Sequence, residues 1–235
     1  MSKVLSIIIP AYNEENNVTE MLNRVTAVQL DPIEKEIVIV NDGSSDKTSK
    51  KISLFIAEHP HYKIRLVEHT RNQGKGMAIR TALHYVTGDY IIIQDGDLEL
   101  DPNDYRPLLT CLIDENQKVV YGSRFLSEDG KHLYRRFYWG GRLVSFVANV
   151  LFFQHITDEP TCYKLFRAEV LKSINLKCTG FEFCPEVTAK VAKQGIKIKE
   201  IPISYNPRTI EEGKKLCWTD GIKAIFTLVK YRFVD

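Results

Sequence analysis

The chain has 235 residues, 44% hydrophobic and 26% charged, with 32 Lys and Arg against 30 Asp and Glu, a balance that excludes a disordered, fibrous or membrane-embedded protein. At this length folding buries roughly 70–75% of the unfolded surface, so one compact domain over residues 1–235 needs no disulfide or structural metal. The charge is uneven: residues 1–120 carry 13 basic and 18 acidic side chains, residues 121–235 carry 19 and 12. That excess is too dispersed for a nucleic-acid-binding stripe, but it suits a C-terminal half that faces anions. Cys111, Cys162, Cys178, Cys184 and Cys217 are odd in number and form no C-x-x-C pair, so they read as reduced thiols of a cytosolic protein. The run Val4–Ile9 is too short for a signal-peptide core and no stretch reaches about 18 apolar residues. The expected location is the cytoplasm.

In chain order, short β-branched runs alternate with segments of helical period. "VLSIIIP" precedes a helical pattern over 13–28, "EIVIV" one over 46–57, "KIRLVE" one over 74–86, and "DYIIIQ" one over 101–115. This β-α-β-α grammar predicts an α/β fold with a mainly parallel, doubly wound sheet and helices on both faces. Beyond residue 120 the pattern loosens into Gly122-Ser123-Arg124, a basic loop to Arg136, an apolar helix near 140–153 and an amphipathic segment over 216–233.

Ligands of such sheets bind at the carboxyl ends of the strands. The first strand ends in Pro10-Ala11-Tyr12-Asn13-Glu14, the second in Asn41-Asp42-Gly43-Ser44-Ser45-Asp46, the fourth in Gln94-Asp95-Gly96-Asp97-Leu98-Glu99. Asp95, Asp97 and Glu99 are hard oxygen ligands suited to Mg²⁺ or Mn²⁺ bridging substrate phosphates; the plain alternative is an acidic turn before a helix capped by Asp101. Asp46 can cap the second helix, leaving Asp42 at the strand tip to accept hydrogen bonds from a nucleoside, and Glu14 makes the same offer or serves as a first-turn carboxylate. Asn72-Gln73-Gly74-Lys75-Gly76 matches neither G-x-x-x-x-G-K-[ST] nor G-x-G-x-x-G, yet its backbone N–H groups and Lys75 can meet a diphosphate.

Together "SIIIPAYNEENNV", "EIVIVNDGSSDKT", "NQGKGMAIRTAL" and "GDYIIIQDGDLELDP" resemble family 2 glycosyltransferases. Gly122-Ser123-Arg124, Thr157-Asp158, Cys162-Tyr163-Lys164, Arg167 and Ile201-Pro202-Ile203 bring the resemblance closest to the dolichol-phosphate mannose synthase and polyprenyl-phosphate glycosyltransferase branch. The resemblance implies a GT-A fold, a nucleotide-sugar donor, a divalent metal and inversion at the anomeric carbon. It also implies Pro10, Tyr12, Glu14 and Asp42 with Gly43 around the nucleoside, Asp95 near the ribose or sugar, Asp97 and Glu99 on the metal, and Arg124 on phosphate. Near the end of the chain the branch pattern x-x-R-x-x-G-x-S-K is replaced by a run from Tyr205 to Lys215 that still offers Arg208, Lys214 and Lys215 to an anionic acceptor.

A phosphate monoester with a second pKa near 6 is largely a dianion at neutral pH, so a polyprenyl or dolichyl phosphate acceptor needs no general base. It needs cations, for which Arg124, Arg208 and Arg142 are candidates. A hydroxyl acceptor on a glycan, lipid or protein would need a carboxylate base, with Asp158 first and Glu182 behind it. A non-catalytic nucleotide-sugar-binding subunit is the third alternative. The 140–153 helix carries one narrow polar stripe of Arg142, Ser145 and Asn149 behind the basic residues Lys131, His132, Arg135 and Arg136. The terminal segment places Trp218, Ile222, Ile225, Phe226, Val229 and Phe233 on one face beside Lys223, Lys230 and Arg232. Both segments fit either peripheral contact with a membrane or packing on the sheet.

Overall fold

A computed structural model of the protein describes residues 2–127, 135–207 and 218–234. Seven strands form one sheet in the order β3-β2-β1-β4-β6-β5-β7. These are β1 (Val4–Ala11), β2 (Glu34–Asn41), β3 (Ile64–Glu68), β4 (Tyr90–Ile93), β5 (Val119–Ser123), β6 (Lys164–Arg167) and β7 (Lys199–Pro202). Every neighbouring pair is parallel except those of β6, which runs antiparallel to both β4 and β5. Strands covered on both faces become continuous apolar runs, and Ile91, Ile92 and Ile93 of β4 with Ile7, Ile8 and Ile9 of β1 are fully buried.

The helices α1 (Val18–Ala27) and α2 (Thr48–Glu58) link strands stepping outward from β1, whereas α3 (Lys75–Ala82) returns the chain from β3 to β4. Right-handed crossovers therefore put α1 and α2 on one face and α3 on the other. Connections leave β1 and β4 in opposite directions, which makes their adjacent carboxyl ends the switch point of the sheet. The helical pattern predicted from residue 13 begins only at Val18. Asn13 has φ 51°, and residues 13–15 are tied to the next loop by Asn13 N–Ser44 Oγ, Ser45 N–Asn13 Oδ1 and Glu15 N–Asp46 Oδ2 bonds of 2.9, 2.9 and 3.1 Å. Asp101 caps a short 3₁₀ turn, Pro102–Asp104, before α4 (Tyr105–Asp114).

The second half adds α5 (Arg135–Phe152), α6 (Ala168–Ser173), α7 (Phe183–Lys193) and α8 (Trp218–Phe233). On α5 Ser145 and Asn149 of the polar stripe turn inward, while Arg142 is exposed. Ser145 Oγ donates to Gly141 O and accepts from Glu159 N at 2.9 and 2.8 Å, and the Asn149 amide pairs with both Ile156 N and O. Val144, Ala148 and Phe152 share that buried face. Trp139, Leu143, Phe146, Val150 and Phe153 consequently form an exposed row at alternating four- and three-residue spacing. On α8, which packs beside α5, Ile222, Phe226, Val229 and Phe233 repeat that pattern, with Phe226 70% exposed. Among the described residues no helix is long and apolar enough to cross a membrane. Lys131 and His132 and the side chains of Arg135, Arg136 and Trp218 lie outside the described part, as does Cys217; Cys111, Cys162, Cys178 and Cys184 are buried free thiols.

Candidate active site

The turn after β4 is anchored by Gln94, which is fully buried. Its Oε1 accepts from the Tyr105 and Tyr163 hydroxyls at 2.5 and 2.7 Å, and its Nε2 donates to Asp95 O at 3.0 Å. Asp95, Asp97 and Glu99 thus rise from a fixed root. A Cβ at Gly96 would stand 3.4 Å from both Pro10 O and Glu14 Cγ, so the turn nestles against the end of β1. Pro10 is the penultimate residue of that strand, Tyr12 is exposed just beyond it, and buried Glu14 accepts from Asn17 Nδ2 at 2.9 Å. Asp97 Oδ1 accepts Glu99 N at 3.0 Å, and the segment after β7 closes over Glu99 through Asn206 N–Glu99 O at 2.8 Å and a bridge between Leu100 and Tyr205.

Asp42 does not stand free at its strand tip as expected. It is buried, and its Oδ1 accepts from His69 Nδ1 at 2.6 Å and Gln73 N at 2.9 Å while Oδ2 accepts from Gly74 N at 2.7 Å. With the Nδ1–H tautomer, His69 Nε2 accepts the Thr81 hydroxyl at 2.9 Å. Gly43, at φ 67°, makes this possible: a Cβ there would lie 2.3 Å from the Arg71 carbonyl carbon, so only glycine lets the 71–72 backbone cross the strand end.

The expectation that the start of α3 offers N–H groups to a diphosphate is also corrected. Gln73 N and Gly74 N serve Asp42, while Gly76 N and Met77 N donate to Gly180 O and Thr179 O at 3.1 and 3.0 Å. Lys75 is ion-paired to Asp95, with its Nζ 3.5 Å from Cys162 Sγ. Burial opposes the charge on Lys75, but the Asp95 carboxylate together with the Cys162 and Cys184 thiols outweighs it and raises the pKa well above the ordinary lysine value.

Arg124, at the end of β5, makes a two-pronged ion pair with Asp158, Nε–Oδ2 and Nη2–Oδ1 both at 2.7 Å, and its backbone N adds a 2.9 Å bond to Oδ2. The Asp158 side chain is 0% exposed and that of Arg124 17%. Burial acts against the guanidinium charge, yet Asp158 more than offsets it and raises the Arg124 pKa further. Its outer surface lies over the Tyr205 ring, 5.3 Å from the centroid. Asp158 therefore does not stand open as a proton acceptor. The second candidate base, Glu182, is only partly buried, and its Oε2 has no hydrogen-bond partner.

Lys75 with Asp95, and Arg124 with Asp158, form two ion pairs, and Asp97 and Glu99 stand on the same turn as Asp95, the Glu99 carboxylate acting electrostatically on Arg124. Among the described residues no three His, Cys, Asp or Glu side chains are grouped to hold a metal, so Asp95, Asp97 and Glu99 are not a ready-made cage. The donor set fits a hard cation all the same, since Mg²⁺ takes one or two carboxylates and fills its shell with water and phosphate oxygens. Arg208, Lys214 and Lys215 lie outside the described residues. Sequence reasoning missed His69, Tyr205 as an arginine platform and Glu200. His69 directly follows β3, so reading the third strand end for chemistry, as was done for the others, would have found it.

Parallel strand ends converging on an acidic turn, in a doubly wound sheet with one antiparallel strand, define the GT-A class of glycosyltransferase fold. The chain belongs to glycosyl transferase family 2, whose family model matches residues 6–174, and it is a glycosyltransferase. A dolichyl-phosphate beta-glucosyltransferase of Trichomonas vaginalis is 31% identical, over 97% of this chain and 73% of that protein. A dolichol-phosphate mannosyltransferase of Pyrococcus furiosus is 26% identical, over 97% and 64%. The crystal structure of glucosyl-3-phosphoglycerate synthase from Mycobacterium tuberculosis with phosphoglyceric acid superposes with a TM-score of 0.73 at 17% identity, covering 99% of this chain and 81% of that one. The same enzyme with Mn²⁺, uridine diphosphate and phosphoglyceric acid gives 0.70 at 17%, covering 99% and 80%.

Proposed function

We propose that this glycosyltransferase moves a sugar, with inversion, from a nucleoside-diphosphate sugar to a polyprenyl or dolichyl phosphate at the cytoplasmic surface of a membrane. Residues 1–120 hold the donor and residues 121–235 the acceptor. Two relatives named for dolichyl-phosphate acceptors support that acceptor class.

The observation that carries the proposal is the Arg124–Asp158 fork. With Nε and one Nη2 hydrogen spent on Asp158, the guanidinium keeps three N–H donors for an anion. The same fork removes Asp158 as a base, which a phosphate dianion does not need. A phosphate oxygen attacks the anomeric carbon as the bond to the nucleoside diphosphate breaks on the opposite face. Pro10, Tyr12, Glu14, Asp42 and Gly43 shape the nucleoside side, Asp42 by fixing the 73–74 backbone, and Lys75 orients Asp95 toward the ribose or sugar. Mg²⁺ or Mn²⁺, held by Asp97 and Glu99, would neutralise the leaving diphosphate. The exposed apolar rows of α5 and α8, with Lys223, Lys230 and Arg232 on α8, support seating on an anionic leaflet. Arg142 connects α5 to the site, lying 5.7 Å from the Phe125 ring centroid with Arg124 at 6.0 Å.

The test is release of nucleoside diphosphate from a panel of nucleotide sugars with Mn²⁺, with and without a short-chain polyprenyl phosphate. Lipid-stimulated release that Asp97→Ala abolishes is expected. Release indifferent to the lipid but stimulated by hydroxyl acceptors would overturn the acceptor assignment, and metal-dependent turnover surviving in Asp97→Ala would overturn the role of Asp97.

A further inference from the structure

Arg124 is held in its direction by Asp158, so what holds Asp158 decides where the guanidinium points. The answer lies on the neighbouring strand. Tyr121 of β5 is in register with Glu200 of β7 and Ser123 with Pro202, and the Glu200 side chain reaches the loop that carries Asp158. Glu200 Oε1 accepts Asp158 N at 2.9 Å, and Oε2 accepts both Thr157 N at 2.6 Å and Thr157 Oγ1 at 2.8 Å. The Thr157 hydroxyl lies 2.6 Å from Ser123 Oγ, which in turn accepts Phe125 N at 3.2 Å. The circuit closes back on the two residues flanking Arg124.

A carboxylate is more than sheet packing requires here. Burial raises the Glu200 pKa and the nearby Asp158 charge adds to the rise, while hydrogen bonds from Asp158 N and the Thr157 N and hydroxyl oppose it. A half-buried acid spent on two consecutive amides and one hydroxyl therefore carries a desolvation cost that a neutral side chain would avoid. In return it fixes the Thr157–Asp158 peptide from which the Asp158 carboxylate projects.

We propose that Glu200 is a positioning residue of the transfer reaction: through the Thr157–Asp158 peptide and the Asp158 carboxylate, it sets the direction in which Arg124 presents its remaining N–H groups to the acceptor phosphate. The proposal rests on the acceptor assignment above and names a residue that touches neither substrate nor metal. It requires that Glu200 and Arg124 act as one unit, so their substitutions must be non-additive.

The experiment is a double-mutant cycle on the full chain with Glu200→Gln, Arg124→Ala and the pair, measuring kcat and KM separately for the donor and for a short-chain polyprenyl phosphate. Glu200→Gln is expected to lower kcat/KM for the lipid phosphate by roughly tenfold or more, the scale of a misdirected binding group, with the donor KM unchanged. In the Arg124→Ala background it should add nothing. Thr157→Val deletes one of the three donors to Glu200 while keeping both amides; it should act in the same direction with a smaller loss, and the same cycle applies if Glu200→Gln folds poorly. Losses that multiply in the double variant, or a Glu200→Gln enzyme with unchanged lipid-phosphate KM and kcat, would overturn the proposal. An Arg124→Ala enzyme with unchanged lipid-phosphate kinetics would instead overturn the acceptor role of Arg124.

Discussion

Arg124 and Asp158 show how a cleft can be strongly charged and still locally neutral. Removing one partner of a buried pair leaves an uncompensated charge, which costs about 3–5 kcal/mol. Asp158→Ala should therefore lower the unfolding free energy by about that amount, seen as a lower urea midpoint, as well as abolish transfer, whereas a residue acting only as a base would leave the midpoint in place. The sequence made the chemistry-bearing residues visible but not their pairings. Arg124 and Asp158 are 34 positions apart, Asp42 and His69 27, Lys75 and Asp95 20. Periodicity reports which face a residue takes within its own element and carries nothing about a partner on another. Asp42, Lys75 and Asp158 were each expected to face a ligand, and each is first engaged by the protein itself.

Among the elements, α5 was legible as a helix and its stripe as polar, but not which side of it would meet the protein. The apolar residues alone fitted membrane contact and packing on the sheet equally. What turns Ser145 and Asn149 inward is the 156–159 loop, whose backbone needs their side chains to satisfy Glu159 N, Ile156 N and Ile156 O. Phe146→Glu and Phe226→Glu, both on exposed rows, should reduce sedimentation with anionic phospholipid vesicles while leaving the melting temperature within a degree or two, as surface changes do. A loss of thermal stability comparable to a core substitution would show that these rows are covered by the protein itself.

Glu36 on β2 joins three elements, accepting from Ser6 of β1 and from Thr87 and Gly88 ahead of β4. Burial alone would raise its pKa, but these hydrogen bonds outweigh it and bring the pKa below the unfolded value of 4.5. A depressed folded pKa gives stability that is present above pH 4.5 and lost as pH falls through the folded value. The stability gap between the native chain and Glu36→Gln should accordingly be largest near neutrality and shrink on acidification below pH 4.5, as followed by urea unfolding across pH.

For the molecule as a whole, the first four strands and their crossovers were readable because each strand carries a short β-branched apolar run, even where charged residues flank or interrupt it as in β2 and β3, and each connection between them is helical. The second half was not, because β6 is four residues long and carries Lys164 and Arg167. Lys164 is fully buried, donates to Glu159 O at 2.6 Å and lies 3.7 Å from the centre of the Tyr121 ring; no composition rule places a lysine there. The proposed metal role of Asp97 and Glu99 makes a whole-enzyme prediction as well. Removal of divalent ions with EDTA should stop nucleoside diphosphate release, and Mn²⁺ or Mg²⁺ should restore it, with the melting temperature little changed because Asp97 and Glu99 lie on a loop outside the buried hydrophobic core.

The position of β6 also orders events in time. Among the described residues β5 reaches β4 only through β6, and β7 pairs only with β5. A chain emerging from the ribosome can therefore assemble β1 to β4 while the rest is still being made, but β5 has no place in the sheet until residues 164–167 arrive between it and β4. Asp158 meets Arg124 at about that stage, and the loop carrying Asp158 is clamped only when Glu200 follows. The half of the chain proposed to hold the donor is therefore synthesised first, and the Arg124–Asp158 pair proposed to meet the acceptor can be clamped by Glu200 only after β7 has been made.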